Sequence, residues 1–203
     1  EGSMLFSGEQ LVWGLLFTAG LIAVVEEWRI SLLALLIQYA LVGFLLSGSF
    51  SPSIALAKIA TGGMIFFILY PTAWRGRKKP PAKIASQERT FATSFPFRLV
   101  GSALIGLVAY GLLHQYPWEG VPAHLAFASN FLMAMGLWTV ILGRGPFRMG
   151  LGLLTFQIGF ELLFTTWERS LLVAGLFGLV NILLALTIPY LEAVELARRG
   201  VER

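Results

Sequence analysis

Residues 123–167 read AHLAFASNFLMAMGLWTVILGRGPFRMGLGLLTFQIGFELLFTTW. Two apolar blocks stand either side of Gly143-Arg144-Gly145-Pro146. Each is about 20 residues long, the length a helix needs to cross ~30 Å of hydrocarbon. A connection of a few residues makes the two helices antiparallel neighbours. The stretch is therefore a hairpin of membrane helices, and the rest of the chain repeats the pattern.

Working outward, spans are expected at 10–25, 30–48, 54–74, 97–115, 123–143, 148–166 and 171–193. The other breaks carry charge or turn signals: Glu26-Glu27-Trp28-Arg29, Ser49-Phe50-Ser51-Pro52-Ser53 and Trp167-Glu168-Arg169-Ser170. The expected fold is all-α, a polytopic membrane helix bundle of about seven transmembrane helices. A membrane barrel is excluded, because its strands would alternate apolar and polar residues. Composition agrees: 57% of residues are apolar, above the 45–50% of soluble domains. The opening Glu1-Gly2-Ser3 reads as a cloning scar. The first block has no basic region ahead of it and no cleavage site behind it, so it reads as a retained span.

Thirteen of the fifteen Lys and Arg residues fall on one side of this topology. They are Arg29, the 75–98 group, Arg144, Arg148, Arg198, Arg199 and Arg203; Arg169 falls on the other side and Lys58 inside a span. The positive-inside rule predicts a multi-pass protein of the cell (inner) membrane, N-terminus outside and C-terminus cytoplasmic. The same distribution accounts for the basic pI without a nucleic-acid partner. Trp74, Trp118, Trp167 and Tyr190 sit near span ends, as an interfacial belt would place them. The long loop at 75–96 contains Pro80-Pro81 and reads as a solvated topology signal or a contact for anionic lipid or a cytosolic partner.

One three-helix unit recurs. Trp28-Arg29 and Phe147-Arg148 each open a span at an offset of 119 residues, and a glutamine follows nine residues after each arginine, at Gln38 and Gln157. Each unit's third span ends with a proline, Pro71 and Pro189. The expected organisation is 4–74 as a first repeat, 75–96 as the basic loop, and 97–122 as a linker helix with its outer loop. A second repeat follows at 123–193, then a cytoplasmic tail at 194–203. Four spans separate corresponding helices, so the repeats are parallel, about an axis along the membrane normal.

Polar groups inside hydrocarbon are the places to look for function. Glu161 lies about two turns from the outer end of span six, one turn after Gln157. It reads as a proton-exchanging carboxylate or as a neutral acid that bonds helices together. Lys58 lies just over one turn into span three. It either snorkels to the outer headgroups or faces inward in a polar track. Gln38, Gln157 and Asn181 relay water or, more commonly, bond helix to helix. Gly62, Gly63, Gly150, Gly152 and Gly159 read as close-packing points that admit the helix of a neighbouring subunit.

No catalytic, cofactor or metal constellation is present. The chain has no cysteine, and His114 and His124 are a weak metal signal. Gly-x-Ser-x-Gly, His-Glu-x-x-His and the P-loop are absent.

The stretch from Asn130-Phe131-Leu132 through Arg144-Gly145-Pro146-Phe147-Arg148 to Gln157, with Arg29-Ile30-Ser31, Gln38 and Lys58 before it, resembles component E of the hydrogenase-4 type membrane complexes. The core of that component is similar to the NuoK-type small subunit of complex I and to the C subunit of Mrp antiporters. The resemblance implies a proton track with an intramembrane glutamate on the helix after the basic turn. That position is Gln157 here, and Glu161 stands one turn further on.

The expected function is a non-catalytic subunit of a complex-I-like or hydrogenase-4-like ion-translocating assembly. Its partners would be the lipid bilayer and other multispanning subunits. The rivals are a self-contained small-solute transporter with 3+1+3 repeats, as in SWEET proteins, and a membrane assembly or scaffold protein.

Overall fold

The computed structural model describes residues 8–49, 52–77, 95–115, 118, 120–168 and 170–201. They form seven helices: α1 Gly8–Val24, α2 Trp28–Ser49, α3 Pro52–Arg77, α4 Phe95–Gln115, α5 Ala123–Leu142, α6 Pro146–Trp167 and α7 Leu171–Val201. Six are long and apolar enough to cross a membrane. The seventh, α1, has 17 residues, about 26 Å at 1.5 Å per residue. The molecule is a polytopic membrane helix bundle. The expected cloning scar, Pro80-Pro81 of the basic loop and Arg169 lie outside the described residues.

Helix ends follow local chemistry. Pro146 opens α6, where its missing N–H belongs to a group that has no helical partner anyway. Gly145 before it has φ +101°, a conformation that a side chain would strain. Two expectations about ends do not hold. Pro71 and Pro189 lie inside α3 and α7, which continue to Arg77 and Val201. A membrane helix tolerates an internal proline because neighbouring helices and local adjustment satisfy the freed carbonyl. The residues read as a tail from 194 are therefore largely a continuation of α7.

Helix α1 is central, packing on α2, α4, α5 and α6. It buries Leu11, Leu15, Ala19, Ile22 and Ala23. Each helix of the first expected unit also touches its counterpart in the second, α1 with α5, α2 with α6 and α3 with α7. Helix α4 packs on α5 and α1 and exposes Leu99, Val100, Leu104, Leu107 and Val108. The closest pair is α5 and α6. A Cβ on Gly152 would lie 2.8 Å from the Gly136 carbonyl oxygen, and one on Gly159 would lie 2.8 Å from the Met133 nitrogen. The two backbones are in direct contact, as small residues in membrane helices allow.

This contact corrects the expectation that the glycines serve an outside neighbour. Gly62 abuts the Tyr39 ring, Gly150 abuts Ile188, and Gly152 and Gly159 abut α5, all within the chain. Of the five, Gly63 alone has open space beside it. Glycines mark close approach in a sequence but do not say which helix approaches.

Candidate functional site

Three helices converge on one buried ion pair. Lys58 is in the second turn of α3 and Glu161 is six residues before the end of α6. Both lie about 9 Å along their helices from the same end of the bundle, at 1.5 Å per residue. The Lys58 ammonium meets Glu161 Oε2 directly. Asn181 of α7 donates from Nδ2 to the same oxygen at 3.2 Å. The Lys58 and Glu161 side chains are 4% and 1% exposed. Lysine therefore faces inward and does not snorkel: a carboxylate within reach outweighs the path to the headgroups. Tyr39 of α2 walls the site, with the ammonium 5.5 Å from its ring centroid, within cation–π range.

Around the pair stand polar atoms that bond to nothing in the protein. Glu161 Oε1, Asn181 Oδ1 and the Tyr39 hydroxyl are buried and unpartnered, as are both amide atoms of Gln38, the residue before Tyr39 in α2. Buried polar groups are ordinarily hydrogen-bonded, and each exception calls for an explanation. Thr139, Thr155 and Thr165, by contrast, donate to carbonyls one turn back. Other buried unpartnered groups occur in the bundle, Asn130 Nδ2 and the Trp138 indole among them, but here they adjoin a buried ion pair.

The sequence singled out Lys58, Glu161, Asn181, Gln38 and Gln157 separately. The structure joins the first three. Gln38 is fully buried and precedes Tyr39 in α2, but it bonds none of the three. Gln157 is half-buried and bonds neither Glu161 nor Asn181. Tyr39 was missed, because a tyrosine in an apolar block looks like packing. His114 is exposed at the end of α4 and stacks on Tyr110. Among the described residues no group of three metal-binding side chains occurs.

At the opposite end, arginines that the topology count used only for orientation also bond the helices together. Arg148 caps α1: Nη1 donates to the Val25 carbonyl at 2.8 Å, and Nη2 to those of Ile22 and Ala23 at 3.1 and 2.7 Å. These carbonyls include the last ones of α1, which have no helical donor, and a cation there also complements the helix dipole. Arg98 of α4 is 2% exposed and pairs with Glu26 at 2.8 Å.

The chain matches no family model, curated protein or solved structure. Its site has to be read from its own chemistry. A lysine and a glutamate in contact can exchange one proton between charged and neutral forms without changing their summed charge. A third proton-bearing residue, Tyr39 of α2, stands beside them.

Proposed function

We propose that this chain is a non-catalytic membrane subunit of an ion-translocating assembly of the complex-I-like or hydrogenase-4-like kind, in which Lys58 and Glu161 are the proton-exchanging pair. The observation that carries this reading is the buried Lys58–Glu161 contact, bridged by Asn181 and ringed by unpaired polar atoms. Charged side chains within a bilayer are costly and, where present, commonly mark ion or proton paths. In this reading a proton arriving at Glu161 releases Lys58, and the freed ammonium repels or attracts the next charge along the track. Glu161 fills the role that the resembled family gives to the position of Gln157, one turn away. The chain sits in the cell membrane with the arginine-rich end in the cytoplasm.

The assembly's other subunits would cover the exposed apolar faces of α4 and α7. The test is Glu161→Gln in the native membrane at native expression. We expect co-purification with other multispanning subunits in mild detergent to be unchanged and ion translocation by the assembly to fall at least tenfold. Full translocation reduces Glu161 to a packing residue. Recovery of the chain alone, with solute uptake after reconstitution, moves the reading to a self-contained transporter.

A further inference from the structure

The arginine-rich end holds a partly open chamber of about 770 Å³. That volume is within the range of small-molecule sites and far larger than a carboxylate or a single ion requires. The chamber is lined by the first turns of three helices, with Trp28 and Ser31 of α2, Phe95 and Arg98 of α4, Phe147 and Arg148 of α6, and by the last residues of α1, whose end carbonyls Arg148 already caps. The first N–H groups of a helix have no partner within it, and the helix dipole puts partial positive charge there, so such ends favour anions. The α6 end has no side-chain cap.

The side chains reinforce this bias. Arg98, nearly wholly buried, has Nε and Nη1 without hydrogen-bond partners; only Nη2 is engaged, by Glu26. Arg148 Nε and the Trp28 indole N–H are also buried and unpartnered. Four buried donors on three side chains thus line one chamber with no acceptor. The lining holds three arginines, Arg98, Arg144 and Arg148, against Glu26 and Glu192, a formal surplus of one positive charge. Glu192 Oε2 is the exception, a buried acceptor that also lacks a partner.

We propose that this chamber binds a phosphate-bearing anion, a phosphate ester whose headgroup also carries a hydrogen-bond donor. The arginine fork suits the paired oxygens of a phosphate, and the indole N–H adds a third direction. A phosphodiester presents those oxygens with a single negative charge. A hydroxyl on the same headgroup satisfies Glu192. The anion arrives either on a phospholipid of the adjoining leaflet or as a free phosphate compound.

The experiment uses the full chain, purified in an uncharged maltoside detergent and stripped of lipid. Phosphatidylglycerol, diacylglycerol with the same acyl chains, and inorganic phosphate are added separately. Binding is followed by native mass spectrometry and thermal unfolding. We expect saturable one-to-one binding of phosphatidylglycerol with a rise in Tm, and no matching response to diacylglycerol. Competition by millimolar inorganic phosphate supports the site and assigns it to a free phosphate compound; no competition assigns it to the lipid. Trp28→Phe keeps the ring and removes one donor, so affinity falls about tenfold, the effect of one lost hydrogen bond. Arg98→Gln weakens binding at least as much, and if it fails to fold, Trp28→Phe carries the test. Gly63→Ala, which has open space beside it and lies outside both sites, binds as the unaltered chain does. Equal binding of diacylglycerol, or undiminished affinity in folded Trp28→Phe, overturns the proposal.

Discussion

Replacing Lys58 with methionine, alone and together with Glu161→Gln, isolates the energy of the buried pair. Methionine keeps most of the lysine's volume, so packing against Tyr39 changes little. Lys58→Met leaves a carboxylate that is 1% exposed with only the Asn181 amide as partner. Glu161→Gln leaves an ammonium that is 4% exposed facing a neutral amide. Removing one partner of a buried pair costs about 3 kcal/mol or more, because the other charge stays behind uncompensated. The double variant holds no charge at the site and loses mainly the net value of the contact, again about 3 kcal/mol at most. The singles then sum to about 6 kcal/mol against about 3 for the double, a coupling of about 3 kcal/mol, at the top of the range for touching residues. In thermal unfolding of the purified chain each single lowers Tm by roughly 6–12 °C, and the double lowers it by no more than the worse single. A double variant whose loss equals the sum of the singles would show that the two side chains do not interact, and the proton-exchange reading would fall with them.

Two further outcomes follow from the fold. The chain has no native cysteine, so Gln115→Cys and Ala197→Cys, both exposed and at opposite ends of the bundle, can be tested with an impermeant thiol reagent. Labelling of Gln115→Cys in intact cells, and of Ala197→Cys only after permeabilisation, is expected; the reverse pattern inverts the orientation. Gly152→Ala drives a Cβ to 2.8 Å from the Gly136 carbonyl and Val140 nitrogen and should cost about 2 kcal/mol or more in unfolding stability, as overpacking does. Gly63→Ala has free space and should be neutral or stabilising by up to about 1 kcal/mol, the helix-propensity gain. Equal losses at the two positions would refute the direct contact of α5 and α6.

The helices were legible because apolar length is a one-dimensional signal: every described helix starts or ends within a few residues of a charge or turn break such as Glu26-Glu27 or Gly143 to Pro146. The ion pair was legible only as parts. Lys58 and Glu161 are 103 residues apart in the chain, and apolar periodicity does not say which helices touch. Depth carried a clue, since both residues lie about 9 Å from the same end and opposite charges at one depth are natural partners. Arg98 and Arg148 misled for the opposite reason. A basic residue next to a span counts toward orientation whether it is solvated or, as here, bonded to helix ends and a neighbouring carboxylate. Tyr39 gave no signal, because its role comes from the lysine beside it in space.

The backbone contact between α5 and α6 has a mechanical corollary. Helices held at that spacing have no side-chain layer to slide on, so they act as one stator. Arg148 bolts the same stator to the end of α1. Glu161 rides on this fixed part, whereas Lys58 and Asn181 ride on α3 and α7, which pack on each other and each carry an internal proline. The two halves of the charge pair are thus carried by differently built helices, the carboxylate on a glycine-packed hairpin and the ammonium with its amide neighbour on two proline-containing ones.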